Sequence, residues 1–177
     1  MKKRFFFCKN LMQDLIESDL QISRVIHQLE LGWLDFAISM FALLCSVWGV
    51  PILVIFVFKT FGMFMAIRYV VLALIGVLVT TFLKNYFDRK RPVSHGKRLV
   101  PLRWMETNAS FPSGDSFQAA IFSILMMHAN GAWIYYFTLL PIVMFSRVYF
   151  GFHWISDTVI GAALGSAITF FLLATIQ

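Results

Sequence analysis

Along the chain, long apolar stretches alternate with short polar clusters, and the polar clusters fall where the apolar runs end. From Leu11 to Leu29 the apolar residues Leu15, Ile22, Ile26 and Leu29 recur at helical spacing among Asp14, Glu17, Asp19 and Arg24. That periodicity predicts an amphipathic helix lying on the membrane or on the rest of the protein. Leu34 to Phe58 reads as a first membrane span with Asp35 its one acidic residue, and Trp48-Gly49-Val50-Pro51 predicts a bend or a break within it. Lys59 to Arg68 reads as a turn, and Tyr69 to Leu83 as a second span stopped by Lys84. A charged loop carrying Pro92, Pro101 and Pro112 comes next. Phe117 to Ala129, Ala132 to Phe145 and Trp154 to Thr175 give a third, fourth and fifth span. Several are shorter than the roughly 20 residues a span needs, so their ends must extend into the flanking polar clusters. The expected fold is all-α: a polytopic membrane bundle of five or six transmembrane helices, with an N-terminal amphipathic segment over 1–33 and one membrane domain over 34–177.

Composition excludes the alternatives. Of 177 residues 59% are hydrophobic and 14% charged, and the mean hydropathy is +0.76. A water-soluble globule of this size has no core large enough to hide so much apolar side chain. Disorder is excluded by the same balance and by 20 Phe. Cys8 and Cys45 are the only cysteines, so no disulfide scaffold is encoded. Met1-Lys-Lys-Arg4 followed by Phe5-Phe-Phe7 opens like a signal peptide, but Lys9, Asn10 and Gln13 end the apolar run too early.

The net charge of +6 is distributed unevenly. Between Lys84 and Asp115 stand seven basic and three acidic residues, flanked by membrane-length apolar runs. Such a placement points to a phosphate-bearing substrate at the membrane surface; nothing resembles a nucleic-acid reading module. Gly161 and Gly165, with Ala162, Ala163 and Ser166, suit close helix packing within the bundle better than dimerisation.

Three polar clusters at span ends carry the candidate chemistry: Lys84 to Pro92, Phe111 to Asp115, and Ser146 to Asp157. If the spans alternate, all three lie on one face. Lys84 and Arg91 are seven apart, about two helical turns, so both fit one side of a helix end. With Arg147 they make a three-cation cradle suited to a tetrahedral dianion. Pro112-Ser113-Gly114 leading into an apolar run reads as a helix N-terminus, where backbone N–H groups favour an anion. Ser113 adds a hydroxyl and Gly114 permits close approach. His153 and Asp157 are at i, i+4, which on a helix sets the carboxylate beside the ring. The carboxylate then fixes one ring nitrogen and leaves the other as nucleophile or base.

Taken together, Lys84-x6-Arg91-Pro92, Pro112-Ser113-Gly114 and Ser146-Arg147-x5-His153-x3-Asp157 resemble the three-part signature of the type 2 phosphatidic acid phosphatase superfamily, which also contains the vanadium haloperoxidases. The resemblance implies a phosphatase that needs no metal and no cofactor and works through a phosphohistidine. His153 attacks phosphorus and Asp157 orients it; Lys84, Arg91, Arg147, Ser113 and the Gly114 N–H hold the phosphoryl oxygens. The implied substrate is a lipid phosphate held in the bilayer: a polyprenyl diphosphate by slight preference, or a phosphatidate-type or glycolipid phosphate. The implied location is an integral, multi-pass one with the site at one membrane–water interface.

One position departs from the signature. The second motif of the family reads Pro-Ser-Gly-His, the His protonating the leaving oxygen, and this chain has Asp115. A carboxyl donates a proton only while it holds one. Three readings follow: Asp115 serves as catalytic acid at acidic pH; the leaving group needs little protonation, as when a diphosphate sheds its terminal phosphate; or the chain is a weakened or inactive member that binds phospholipid headgroups. His95, in the same loop, is a weaker candidate acid, and His27 and His128 have no constellation around them. Asn108-Ala109-Ser110 matches a glycosylation triplet, but a glycan there would crowd the site.

Overall fold

The computed structural model describes residues 29–44, 46–92 and 109–175, and before them positions 17, 19, 21–23, 25 and 26. Both cysteines, His27, His95, Asn108 and the loop at 93–108 lie outside the described residues. The described secondary structure is helical throughout, with six α-helices of defined ends: α1 (Leu34–Leu44), α2 (Val50–Phe61), α3 (Met63–Phe87), α4 (Gly114–Asn130), α5 (Ile134–Tyr149) and α6 (Ile155–Thr175).

The predicted break after Trp48 is present. A single 3-10 turn (Val47–Gly49) separates α1 from α2, and the Ser46 hydroxyl stabilises it by donating to the Leu43 carbonyl at 2.7 Å and accepting the Trp48 N–H at 3.2 Å. Pro51 falls in the first turn of α2, where the missing N–H costs nothing. The expected turn from Lys59 to Arg68 is not there. The chain breaks only at Gly62, whose φ of +85° suits glycine, and α3 begins one residue later. Charge misled the reading at this point, because a long cationic side chain can stay on a helix. The Arg68 guanidinium lies 5.0 Å over the Phe64 ring and reaches the Met65 sulfur at 4.0 Å.

At 1.5 Å per residue, α3 is roughly 37 Å long and α6 roughly 31 Å. Both are long and apolar enough to cross a bilayer. The outer faces are apolar too: Leu78, Phe82 and Phe171 are 70%, 69% and 68% exposed. Contiguous surface of that kind is costly in water and favourable in lipid.

Helix α4 runs through the middle of the bundle, and every residue from Ser116 to Met126 is buried. The largest core cluster gathers Phe117, Ile121, Phe122 and Leu125 of α4 with Val57 of α2, Tyr69 of α3 and Leu173 of α6. A buried polar side chain must find a partner, and the Gln118 amide donates to the Ala73 carbonyl at 2.9 Å. The two glycines of α6 are packing residues within the bundle. A Cβ at Gly165 would stand 2.6 Å from the Phe117 carbonyl oxygen, and one at Gly161 would overlap the Ser113 carbonyl oxygen.

Before the bundle, the described positions from 17 to 26 are helical. The buried face there is a polar one, Asp19 and Ser23, whereas Ile22 and Val25 are exposed. Ile26 packs against the cluster of Tyr149, Phe150 and Phe152. Of the expected apolar stripe, Leu15 lies outside the described residues, Ile22 and Leu29 are exposed and Ile26 is half-buried, and a buried ion pair of Asp19 holds this segment to the protein.

Candidate active site

The C-terminal end of α3, the N-terminal end of α4, the C-terminal end of α5 and the N-terminal end of α6 meet at one end of the bundle, and with them the three polar clusters. Ser113 is the N-cap of α4: its hydroxyl oxygen accepts the Ser116 N–H at 3.3 Å and the Ser116 hydroxyl at 3.1 Å. Those bonds use lone pairs only, and a serine hydroxyl has a proton besides. The Ser113 N–H donates to the Asp157 carbonyl at 3.0 Å, which fastens the cap to α6 at the point where Gly161 allows contact. Gly114 is a different case. A Cβ there would meet only the Thr80 hydroxyl, at 3.8 Å, so packing within the protein does not demand a glycine.

Helix α5 ends in a turn that brings His153 back onto it. Gly151 has φ +72°, its N–H bonds to the Val148 carbonyl at 2.9 Å, and the N–H groups of Phe152 and His153 reach the Arg147 carbonyl at 2.9 and 3.2 Å. His153 is 1% exposed. Its Nδ1 lies 2.7 Å from the Ser110 carbonyl oxygen. A carbonyl only accepts, so Nδ1 carries a hydrogen, and in the neutral ring the lone pair is then on Nε2.

Asp157 stands beside this ring, with Oδ2 3.7 Å from Nδ1, a charge contact longer than a hydrogen bond. The sequence reading put the pair on one helix. In the structure α6 starts at Ile155, so His153 precedes it. The carboxylate of Asp157 is occupied locally: Oδ2 accepts the Trp154 N–H at 3.0 Å, closing the first turn as a capping box does, and Oδ1 accepts from Arg89 Nη1 at 2.5 Å.

The three expected cations come from three elements. Lys84 lies in the last turn of α3. That helix stops at Phe87, and Asp88 in the left-handed region (φ +43°) turns the chain, so Arg91 does not continue the helical face of Lys84 as the seven-residue spacing predicted. Aspartate tolerates that conformation better than most residues. Arg91 donates to the Phe152 carbonyl at 2.8 Å, directly before the histidine. Arg147, in the last turn of α5, sits 5.4 Å over the Phe152 ring, and its Nε is 2.9 Å from Asp115 Oδ2. The side chains of Arg147 and Asp115 are only 6% and 13% exposed. Asp115 thus lies in the first turn of α4 in an ion pair with Arg147, where the helix dipole also favours negative charge.

Sequence reasoning passed over four residues of this site. Arg89, with a fully buried side chain, bonds Asp157, Ser156 (2.6 Å) and Asp19 (2.8 Å) and lies 5.4 Å over the Trp154 ring. Ser110 supplies the carbonyl for His153. Asp19 and Ser156 complete the group around Arg89. The available signal was the buried, uncompensated carboxylate that Asp157 would otherwise be.

A family model described as the PAP2 superfamily matches residues 65–177. No curated protein matches the chain. Among solved structures, the chain is similar to the first transmembrane PAP2-type phosphatidylglycerolphosphate phosphatase from Bacillus subtilis, at 21% identity and TM-score 0.76 over 98% of this chain and 95% of that one. It is also similar to Aquifex aeolicus LpxE, at 25% identity and TM-score 0.73 over 88% of this chain and 94% of that one.

Proposed function

Because the chain belongs to the PAP2 superfamily, we propose that it is an integral-membrane lipid phosphatase that works through a phosphohistidine and needs no metal. The observation that carries this reading is His153: buried, with Nδ1 tied to the Ser110 carbonyl and Nε2 left as the basic nitrogen. In the proposed cycle Nε2 attacks phosphorus and the bond from phosphorus to the lipid oxygen breaks, its electron pair leaving on that oxygen. Lys84, Arg91, Arg147, the Ser113 hydroxyl and the Gly114 N–H hold the three remaining oxygens and stabilise their charge in the transition state. Water then attacks phosphorus, the P–N bond breaks, and Nε2 recovers its electron pair. The bundle is multi-pass in this reading, with the site at one membrane–water interface and a segment at 1–33 preceding a membrane domain at 34–177.

The ion pair of Asp115 bears on the substrate. Its carboxyl oxygen is turned to Arg147 Nε at 2.9 Å, so in this reading it serves that cation and not the leaving oxygen. We therefore favour a leaving group that departs without protonation, as a lipid monophosphate does when a polyprenyl diphosphate loses its terminal phosphate. Phosphatidate, phosphatidylglycerol phosphate and a glycolipid phosphate are the other candidates. The same ion pair also supports a second reading, a headgroup-binding protein in which Asp115 takes up a cradle cation and turnover is lost.

Phosphate release by the purified protein in detergent micelles with EDTA tests both. Farnesyl diphosphate is compared with dioctanoyl phosphatidate, and His153→Ala is the control. Release that survives EDTA, is lost in the control and is faster from the diphosphate is the expected result. No release from either lipid, nor from phosphatidylglycerol phosphate or a glycolipid phosphate, between pH 4 and 8 overturns the phosphatase reading in favour of the binding protein.

A further inference from the structure

We propose that Arg89 and Asp19 are positioning residues of the nucleophile, and that the segment before the bundle is thereby a working part of the active site. This rests on the phosphohistidine reading of His153. Two groups border Nδ1 of that ring, the Ser110 carbonyl at 2.7 Å and Asp157 Oδ2 at 3.7 Å, and Arg89 holds both. Its guanidinium fixes the Asp157 carboxylate at 2.5 Å. Its main-chain carbonyl accepts the Ser110 N–H at 2.8 Å and the Ser110 hydroxyl at 3.1 Å. One residue therefore sets the direction of the nitrogen that attacks.

Asp19 completes the arrangement from outside the stretch that the family model matches. Its Oδ2 accepts from Arg89 Nη2 at 2.8 Å and from the Ser156 hydroxyl, and its Oδ1 accepts the Ser156 N–H at 3.2 Å. The side chains of Arg89 and Asp19 are 0% and 8% exposed, so water screens little of this pairing. Two carboxylates share one guanidinium. Without Asp19 the guanidinium keeps the Ser156 hydroxyl but loses its second carboxylate, and its charge falls on Asp157 alone, weakening that carboxylate as the partner of a histidine that becomes positively charged on attack. Asp19 thus keeps Arg89 aimed and keeps Asp157 negative enough to support His153.

The test is a single-turnover measurement with the full chain in dodecylmaltoside micelles, enzyme in saturating excess over farnesyl diphosphate. The rate constant read this way does not depend on the fraction of protein that is active. Asp19→Asn, close in shape to the wild type, is expected to slow that step about tenfold with the KM for the diphosphate within about twofold, and Asp19→Glu to recover at least half of the wild-type rate. Arg89→Lys is expected to lose more, about a hundredfold. A merely structural role lowers the thermal midpoint or the active fraction and leaves the single-turnover rate of the remaining protein unchanged, and that result overturns the proposal. Should Arg89→Lys fail to fold, Asp19→Asn decides alone. A wild-type protein whose turnover survives His153→Ala overturns the phosphohistidine reading and this inference with it. Turnover that needs His153 but ignores Asp19→Asn overturns this inference only.

Discussion

Substituting Asp115 by Asn removes the negative charge 2.9 Å from Arg147 Nε while nearly preserving the shape of the side chain. The two readings of Asp115 predict opposite results. As a partner of Arg147, it competes with the substrate phosphate for the same guanidinium. With the charge centres about 4 Å apart and an effective dielectric near 20, their attraction is about 4 kcal/mol. The Asn amide dipole still faces Arg147, and solvent and neighbouring charges absorb part of the remainder. About 1.4 kcal/mol of extra anion affinity is then expected, a factor of ten. Vanadate, which imitates the pentacoordinate phosphoryl group, reads that affinity directly. Asp115→Asn should lower its inhibition constant about tenfold, with the turnover of farnesyl diphosphate changed less than about threefold. If Asp115 is instead the catalytic acid, the same variant loses roughly 10²–10⁴ in rate. A hundredfold loss on the diphosphate with unchanged vanadate inhibition therefore refutes the reasoning. Asp115→His adds a second discriminant, since restoring a proton donor should raise turnover of dioctanoyl phosphatidate and leave the diphosphate nearly unaffected.

Two further perturbations separate packing from chemistry. Gly161→Ala forces α6 away from the Ser113 carbonyl, so it should destabilise the protein by about 1–3 kcal/mol and slow turnover, read as a lower thermal midpoint in detergent together with phosphate release. Gly114→Ala meets only Thr80 at 3.8 Å; the midpoint should stay within about 1 °C of wild type, as expected of a change worth a few tenths of a kcal/mol, while activity falls at least tenfold. Tyr149→Phe removes the hydroxyl that donates to Asp35 at 2.6 Å and accepts the Leu31 N–H at 3.2 Å. It should cost about 1–3 kcal/mol of stability with little change in kcat, because its hydroxyl ties α1 to α5 and touches none of the proposed phosphate-binding residues.

The bundle was legible where apolar runs are long, because a span has no other way to satisfy its backbone in lipid. Its ends were less legible. Lys59 and Arg68 look like loop residues when charge alone is weighed, yet Arg68 rests on Phe64 and the helices run up to a single glycine. The motif residues Ser113, Arg147, His153 and Asp157 were legible because each combines a polar group with a position at the end of an apolar run. The partners of those residues were not. Arg89 stands between Asp88 and Lys90 and is one of three cations in a row, and no local pattern tells which of them is buried. The partner of Asp157 is 68 residues away and the second carboxylate on Arg89 is 70 away, separations at which spacing carries no information. Ser110 acts through a main-chain carbonyl, which every residue possesses.

Asp157 shows why the hidden part matters to the legible one. Its carbonyl accepts the Ser113 N–H that seats the α4 cap, one carboxylate oxygen accepts the Trp154 N–H that starts α6, and the other takes Arg89. A fully buried carboxylate with none of these would be expelled toward water or neutralised. With all three it is fixed, and what it fixes in turn is the cap of α4 and the approach to Nδ1 of His153. Arg89 closes the same loop from the other side, since its guanidinium holds Asp157 while its carbonyl holds Ser110. The proposed nucleophile, His153, and the N-terminal end of α4 are therefore not independent features brought together by topology. They share one buried network, so a change that loosens Arg89 should disturb the aim of His153 and the seating of Ser113 together, and the cost of the two disturbances should not add as if they were separate.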